Sequence, residues 1–153
     1  MPSSVSSIQI LPGKSLYTKA VLIDTGPLLA LANSKDIHHL EALDCLQAIA
    51  KDRLPIFISI PTIYETQKRI LFDLGQQASR KFLLYVFDGS LNIERTSLAD
   101  DLEARNLTER YSSLLLTLTD AVNMAIMLRL SIGKAFSFDR HFNQAGYIRI
   151  PPY

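Results

Sequence analysis

One cysteine, Cys45, stands in 153 residues, so the chain cannot close a disulfide on itself. A reducing compartment is the simple reading, with Cys45 a small apolar residue on a helix. No apolar stretch reaches the length of a membrane span, because Arg129 interrupts the most apolar helix. Charge is almost balanced: 16 Lys and Arg face 15 Asp and Glu, a formal net of +1. No global basic field therefore marks a nucleic-acid partner, although a local basic rim would be enough for one. Neither G-x-G-x-x-G nor G-x-x-x-x-G-K-[ST] occurs, which removes the usual dinucleotide and P-loop sites. There is no G-x-S-x-G elbow, and no base adjoins Cys45 for thiol chemistry. His38, His39 and His141 do not form a zinc spacing. Internal repeats and low-complexity blocks are absent too.

What remains is an ordinary globular composition, 48% hydrophobic and 20% charged. Its length suits one domain with a real core, expected over residues 20–153. Residues 1–19 are serine-rich, lack sustained periodicity and read as a loose extension. Lys19 through Ala32 has the outline of a signal peptide, but Asp24 and the Gly26-Pro27 pair spoil it. A cytoplasmic protein is expected.

The run Ala20-Val21-Leu22-Ile23, ended by Asp24, predicts a strand over 20–24 buried on both faces. Thr25-Gly26-Pro27 supplies a tight turn and the start of a short helix over 27–33. A helix over 36–51 would carry Leu40, Leu43, Leu46, Ile49 and Ala50 on one face. A strand over 56–60 lies between Pro55 and Pro61. Helices over 61–74, closed by Gly75, and over 76–87 follow, then a strand over 91–94. A helix from 99 to about 115 precedes one over 120–132, apolar nearly all round and ended by Gly133. Strands over 135–138 and 147–150 complete the chain. This alternation predicts an α/β fold in three layers, α/β/α, around a central parallel sheet of four or five strands.

Ligands bind such sheets outside the carboxyl ends of the strands. Asp24, Glu65, Asp120 and Asp139 fall there, after successive apolar runs or at a helix start. A shared acidic pocket would attract a hard divalent cation. Each acid also has a plainer reading. Asp139, before Arg140-His141-Phe142, is equally well a helix N-cap. Asp24 is harder to explain so, because Thr25 and Gly26 could cap instead, and an unpaired charge at a buried strand end is costly. Asp120 has Thr117 and Thr119 beside it as alternative caps. Asn123 lies one turn on, and an Asp–Asn pair on so apolar a helix needs a partner such as a cation or water. Glu65 points away from the Ile63/Ile70/Leu74 stripe, where a solvated glutamate is the default.

Taken together and in order, these segments resemble PIN-domain nucleases, especially the VapC-type toxins of bacterial toxin–antitoxin pairs. Val21-Leu22-Ile23-Asp24-Thr25-Gly26-Pro27-Leu28-Leu29-Ala30-Leu31, continued by Asp36-Ile37-His38-His39, resembles the opening of that family. Pro61-Thr62-Ile63-Tyr64-Glu65 is similar to the segment carrying its second acid. Tyr111 with Leu118-Thr119-Asp120-Ala121 resembles its third motif, and Phe138-Asp139-Arg140-His141-Phe142 its fourth. The ordered set spans about residues 20–150.

The resemblance implies a PIN-like fold and an endoribonuclease acting on single-stranded or structured RNA. Asp24, Glu65, Asp120 and Asp139 would be its catalytic and metal-binding acids, holding one or two Mg²⁺ or Mn²⁺ ions. Thr25, Thr119, Asn123 and Ser137 would support them, and Lys68, Arg69 and Arg140 are candidate rim cations for an RNA backbone. It also implies an antitoxin protein as partner, a homodimer, and no membrane. Two rival readings remain: a catalytically inactive PIN-like module that binds RNA or protein, and a metal-dependent phosphatase. Four retained acids speak against the first. Gly26, two residues after Asp24 where an aspartyl-phosphate enzyme wants a second Asp, speaks against the second.

Overall fold

The structure, a computed structural model, describes residues 19–152. The expected loose extension therefore lies, but for Lys19, outside the described residues. Five strands form one parallel sheet: β1 (Val21–Ile23), β2 (Ile56–Ser59), β3 (Asn92–Glu94), β4 (Lys134–Phe136) and β5 (Ile148–Ile150). Their spatial order is β3-β2-β1-β4-β5. Leu22 pairs with Phe57 on one side and Ala135 on the other, so β1 is the central strand.

Alternate residues of each strand serve two cores. Val21, Ile23, Ile58 and Phe136 face a layer of four helices, α1 (Thr25–Ala32), α2 (His39–Lys51), α3 (Ile60–Leu74) and α4 (Gln76–Phe87). Leu22, Phe57 and Ala135 face α5 (Leu98–Arg110) and α6 (Leu118–Leu130) on the other side. A short α7 (His141–Gln144), which the sequence reading did not anticipate, buries Phe142 in this second core. The expected three-layer architecture with five strands is what the structure has. The order of strands reverses between β1 and β4, so their carboxyl ends flank the switch-point crevice of a doubly wound sheet.

The differences from expectation sit at element ends. Thr25-Gly26-Pro27 is the first turn of α1 rather than a separate turn, and Pro27 is tolerated there because its missing N–H has no helical acceptor. Residues 36–38 stay outside α2, held in a turn by the His38 N–H donating to Asp36 Oδ1 at 2.8 Å. Leu40 is consequently exposed, while Ala42 and Ile49 are buried. Ile60 belongs to α3, because Ser59 caps that helix by accepting the Thr62 N–H. α5 stops at Arg110, well short of 115. α6 begins at Leu118 because Thr117 is its N-cap and Asp120 completes a reciprocal capping box. It ends at Ser131 in a left-handed conformation (φ 57°), not at Gly133.

Polar contacts tie these helices to their neighbours and to the sheet. Arg129 on α6 donates through Nε and Nη2 to both oxygens of Asp100 on α5, at 2.9 and 3.1 Å, and through Nη2 to Glu94 at 3.1 Å. Burial works to raise the Asp100 carboxyl, but those donors and the Ser97 N–H hold it below its ordinary value. His39 Nδ1 lies 2.7 Å from the Ala30 carbonyl and ties α2 to α1.

Candidate functional site

Asp24 follows the last residue of β1 and stands at the N-cap position of α1, yet its side chain makes no capping bond. It accepts instead from Ser137 Oγ at 2.7 Å, one residue beyond β4. Ser137 Oγ in turn accepts the Asp139 N–H at 2.9 Å, so one fully buried hydroxyl ties two acids together. The Ser137 carbonyl is approached by Arg149 Nη1 at 3.4 Å, while Arg149 Nε donates to Asn143 at 2.8 Å. This buried arginine of β5 went unnoticed in the sequence, where its apolar flanks signalled only a strand. Asp139 Oδ1 accepts the His141 N–H at 2.9 Å, the turn that starts α7.

Asp120 completes the cluster from the other side. Its Oδ2 accepts the Thr117 N–H at 3.3 Å within the capping box, so the residue serves the helix and still faces the other acids. Ligand atoms of Asp120, Asp139 and His141 lie within 4.8 Å of one another. His141 Nδ1 is 3.2 Å from Asp139 Oδ1 and 3.9 Å from Asp120 Oδ2. His141 had no assigned role in the sequence reading; its position two residues after Asp139 was the available signal.

The electrostatics show how tightly these charges crowd. Burial, reinforced by the negative charge of Asp120 and then of Asp139, pushes the Asp24 carboxyl from 3.8 up to about 7. The Ser137 hydroxyl and the Thr25 amide favour its charged form but do not offset the burial. Asp120 is raised as well, by burial first and the Asp139 charge second, against hydrogen bonds from Thr117 and the nearby His141. Two adjacent carboxylates that resist ionisation together call for a positive charge between them.

The other expected residues are placed less closely. Glu65 lies in the second turn of α3, half-buried, and has no hydrogen-bond or ion-pair partner among the described residues. Thr119 is half-buried at the start of α6. Asn123 is fully buried and faces protein, not Asp120: Ser59 Oγ donates to its Oδ1 at 2.6 Å, and its Nδ2 donates to Thr62 Oγ1 at 3.0 Å. The partner that the apolar helix required is thus a pair of hydroxyls. Lys68, Arg69 and Arg140 are exposed, Arg69 pairing with Asp73 at 3.6 Å. Phe138 stacks on His38 with ring centroids 4.4 Å apart, walling the crevice beside Gly26.

Comparison with known proteins agrees with this geometry. The PIN domain family profile matches residues 21–147. The chain belongs to the PIN-domain family. Among solved structures it is similar to Mycobacterium tuberculosis VapC20, described as a sarcin-ricin loop cleaving toxin. That likeness has a TM-score of 0.78 at 21% identity, covering 87% of this chain and 100% of the other. VapBC2 from Rickettsia felis, solved bound to a DNA fragment from its promoter, gives 0.65 at 16% identity, covering 85% and 96%. At such identities these neighbours establish the fold alone. No curated protein matches the chain. No helix among the described residues is long and apolar enough to cross a membrane.

The acidic edge of this PIN domain fits a divalent cation on its own chemistry. Three buried side-chain polar atoms among the described residues lack a hydrogen-bond partner, and two of them, Thr25 Oγ1 and His141 Nδ1, adjoin the acids. Both polar atoms and the crowded carboxylates would gain from a hydrated cation at this edge.

Asn123 matters to this edge by position. Its bonds join α6 to the end of β2 and the start of α3, one turn from Asp120. Asn123→Ala is expected to cost about 2 kcal/mol, because it removes the amide partner of two buried hydroxyls and leaves them chiefly each other, with Ser59 Oγ donating to Thr62 Oγ1 at 3.0 Å. Urea denaturation would read this as a lower midpoint at unchanged slope; a loss below about 0.5 kcal/mol would mean the network adds nothing to stability.

Proposed function

We propose that this PIN domain is a Mg²⁺- or Mn²⁺-dependent endoribonuclease that cuts single-stranded RNA and acts as the toxin of a toxin–antitoxin pair. The observation that carries the reading is the convergence of Asp24, Asp120 and Asp139 at the sheet's switch point, with Asp24 lifted to about 7 by burial and like charge. A binding module gains nothing from paying that electrostatic cost beside an RNA phosphate. The similarity to VapC20 and VapBC2 supports the class of substrate and the existence of a protein partner.

Asp24, Asp120 and Asp139 would hold the cation, with Glu65 reaching it through water. A bound divalent ion supplies Lewis-acid polarisation of the scissile phosphate and lowers the pKa of an attacking water. The chain's own residues set the stage for this. Ser137 holds the Asp24 carboxylate by donating to it and the backbone of Asp139 by accepting its N–H. Thr117 orients Asp120 through the capping box. Thr25, whose Oγ1 has no hydrogen-bond partner among the described residues, would orient a water beside Asp24, and Thr119 would do so beside Asp120. Exposed Lys68, Arg69 and Arg140 would meet the RNA backbone, a contribution that falls with salt. A single domain over residues 20–153, a homodimer and a cytoplasmic location complete the proposal.

Incubating purified protein with single-stranded and structured RNAs, with Mg²⁺, with Mn²⁺ and with a chelator, tests it. Cleavage is expected with either metal and lost on chelation. Hydrolysis of a simple phosphomonoester with intact RNA would instead identify a phosphatase. RNA retention without cleavage at any metal concentration would leave only a binding module.

A further inference from the structure

We infer that His141 supplies a nitrogen ligand to the cation held by Asp120 and Asp139, biasing the centre toward Mn²⁺ over Mg²⁺. The inference rests on the metal-dependent reading of this site and adds a residue that reading does not use. His141 is the first residue of α7, and its backbone N–H is already fixed by Asp139 Oδ1. The next residue, Phe142, is fully buried, so the ring of His141 hangs from an anchored backbone. From there Nδ1 reaches 3.2 Å from Asp139 Oδ1 and 3.9 Å from Asp120 Oδ2.

Those separations are the ones a shared cation demands. Ligands about 2.1 Å from an octahedral ion stand about 3.0 Å apart when adjacent and about 4.2 Å apart when opposite. Both measured distances fall in or near that interval. The alternative is an imidazolium paired with two carboxylates. A pairing of that kind would aim the N–H at an oxygen, whereas Nδ1 is buried, makes no hydrogen bond among the described residues and merely lies close to both acids. A ring nitrogen set between two carboxylates with no hydrogen bond of its own stands where a metal ligand would.

The chemistry sets the selectivity. Mg²⁺ prefers an all-oxygen shell and sheds water reluctantly, so it gains little from an imidazole. Mn²⁺ accepts carboxylate and imidazole together, and later transition metals favour the nitrogen more strongly.

Pulsed electron paramagnetic resonance of Mn²⁺ bound to the full chain tests this directly, alongside calorimetric titration with Mn²⁺ and with Mg²⁺. The native protein is expected to show ¹⁴N coupling to the bound Mn²⁺. In His141→Gln and His141→Phe, folded by circular dichroism, the coupling should vanish and Mn²⁺ affinity fall about tenfold, with Mg²⁺ affinity within about twofold of native. Mn²⁺ bound by the native protein without ¹⁴N coupling overturns the inference even if neither variant folds, and leaves the nuclease reading standing. Coupling that persists in the variants, or equal weakening of both metals, also overturns it and reduces His141 to a positioning residue. No Mn²⁺ binding by the native protein overturns the inference, and no binding of Mg²⁺ as well defeats the metal-dependent reading too.

Discussion

Asp24→Asn and Asp120→Asn are each expected to lower RNA cleavage by about 10³-fold or more, a loss of about 4 kcal/mol in transition-state stabilisation. Asparagine keeps the shape of each side chain and an oxygen that accepts hydrogen bonds. In Asp24→Asn that oxygen still receives the Ser137 hydroxyl, which lies 2.7 Å from the native carboxylate. In Asp120→Asn it still receives the Thr117 N–H of the capping box. The substitutions therefore remove one negative charge each and little else. If Asp120 served only its helix, an asparagine would be nearly as good there and activity would hardly change. Because it faces Asp139 and His141 as well, charge is what the substitution should expose. Asp139→Asn is expected to act more mildly, since water can replace one ligand and the turn to His141 survives through the amide oxygen. Single-turnover cleavage with saturating Mn²⁺ measures all three. Near-native rates for Asp24→Asn and Asp120→Asn would remove the proposed site.

The layer architecture could be read from alternation of apolar runs, because β1, β2 and β4 are largely buried on both faces and α2, α3 and α4 each show an apolar stripe. Where the reading slipped, a local side chain had decided the matter. Ser59 ends β2 and caps α3 at once, so the strand is shorter than its apolar run. Asp120 sits at the third position of α6, and treating it as the helix start moved the boundary by two residues. Ser131 adopts a left-handed conformation that periodicity does not report. The acids themselves were legible because buried charge at strand ends is costly and so informative. Ser137 and Asn123 were named as supports by resemblance, but the bonds they make were not legible. Ser137, 113 residues from Asp24, contacts it only through the pairing of β4 with β1, and a sequence position cannot reveal a register. Asn123 shows the same limit, since Ser59 lies 64 residues away. Glu65 was assigned by resemblance rather than by burial or charge, and its half-buried carboxylate in α3 has no partner among the described residues.

Charge crowding at the acidic edge makes stability depend on pH in an unusual sense when metal is removed. The folded-state value for Asp24, about 7, lies above its ordinary 3.8, so the folded protein holds this proton more tightly than the unfolded chain does. Between those two values the folded state carries more protons, and stability must fall as pH rises. At about 1.4 kcal/mol per unit, the loss from pH 4 to above pH 7 is on the order of 4 kcal/mol at most. Asp120, also raised, acts in the same direction. Asp100 and Asp88, both held low, act in the opposite one, which is why the comparison needs Asp24→Asn as its partner. Their contributions are common to both proteins and cancel in the difference. With chelator present, Asp24→Asn is expected to match the native protein near pH 4 and to exceed it increasingly as pH rises through 7. Saturating Mn²⁺ should reverse the order at pH 8, since binding to the folded state alone stabilises by RT ln(1 + [L]/Kd), which is about 2.7 kcal/mol at a hundredfold excess over Kd. Urea denaturation at pH 4.5, 6 and 8, with chelator and with Mn²⁺, resolves each arm. Parallel pH profiles for the two proteins without metal would show that Asp24 titrates as an ordinary surface acid, and the electrostatic case for a cation at this edge would fall with it.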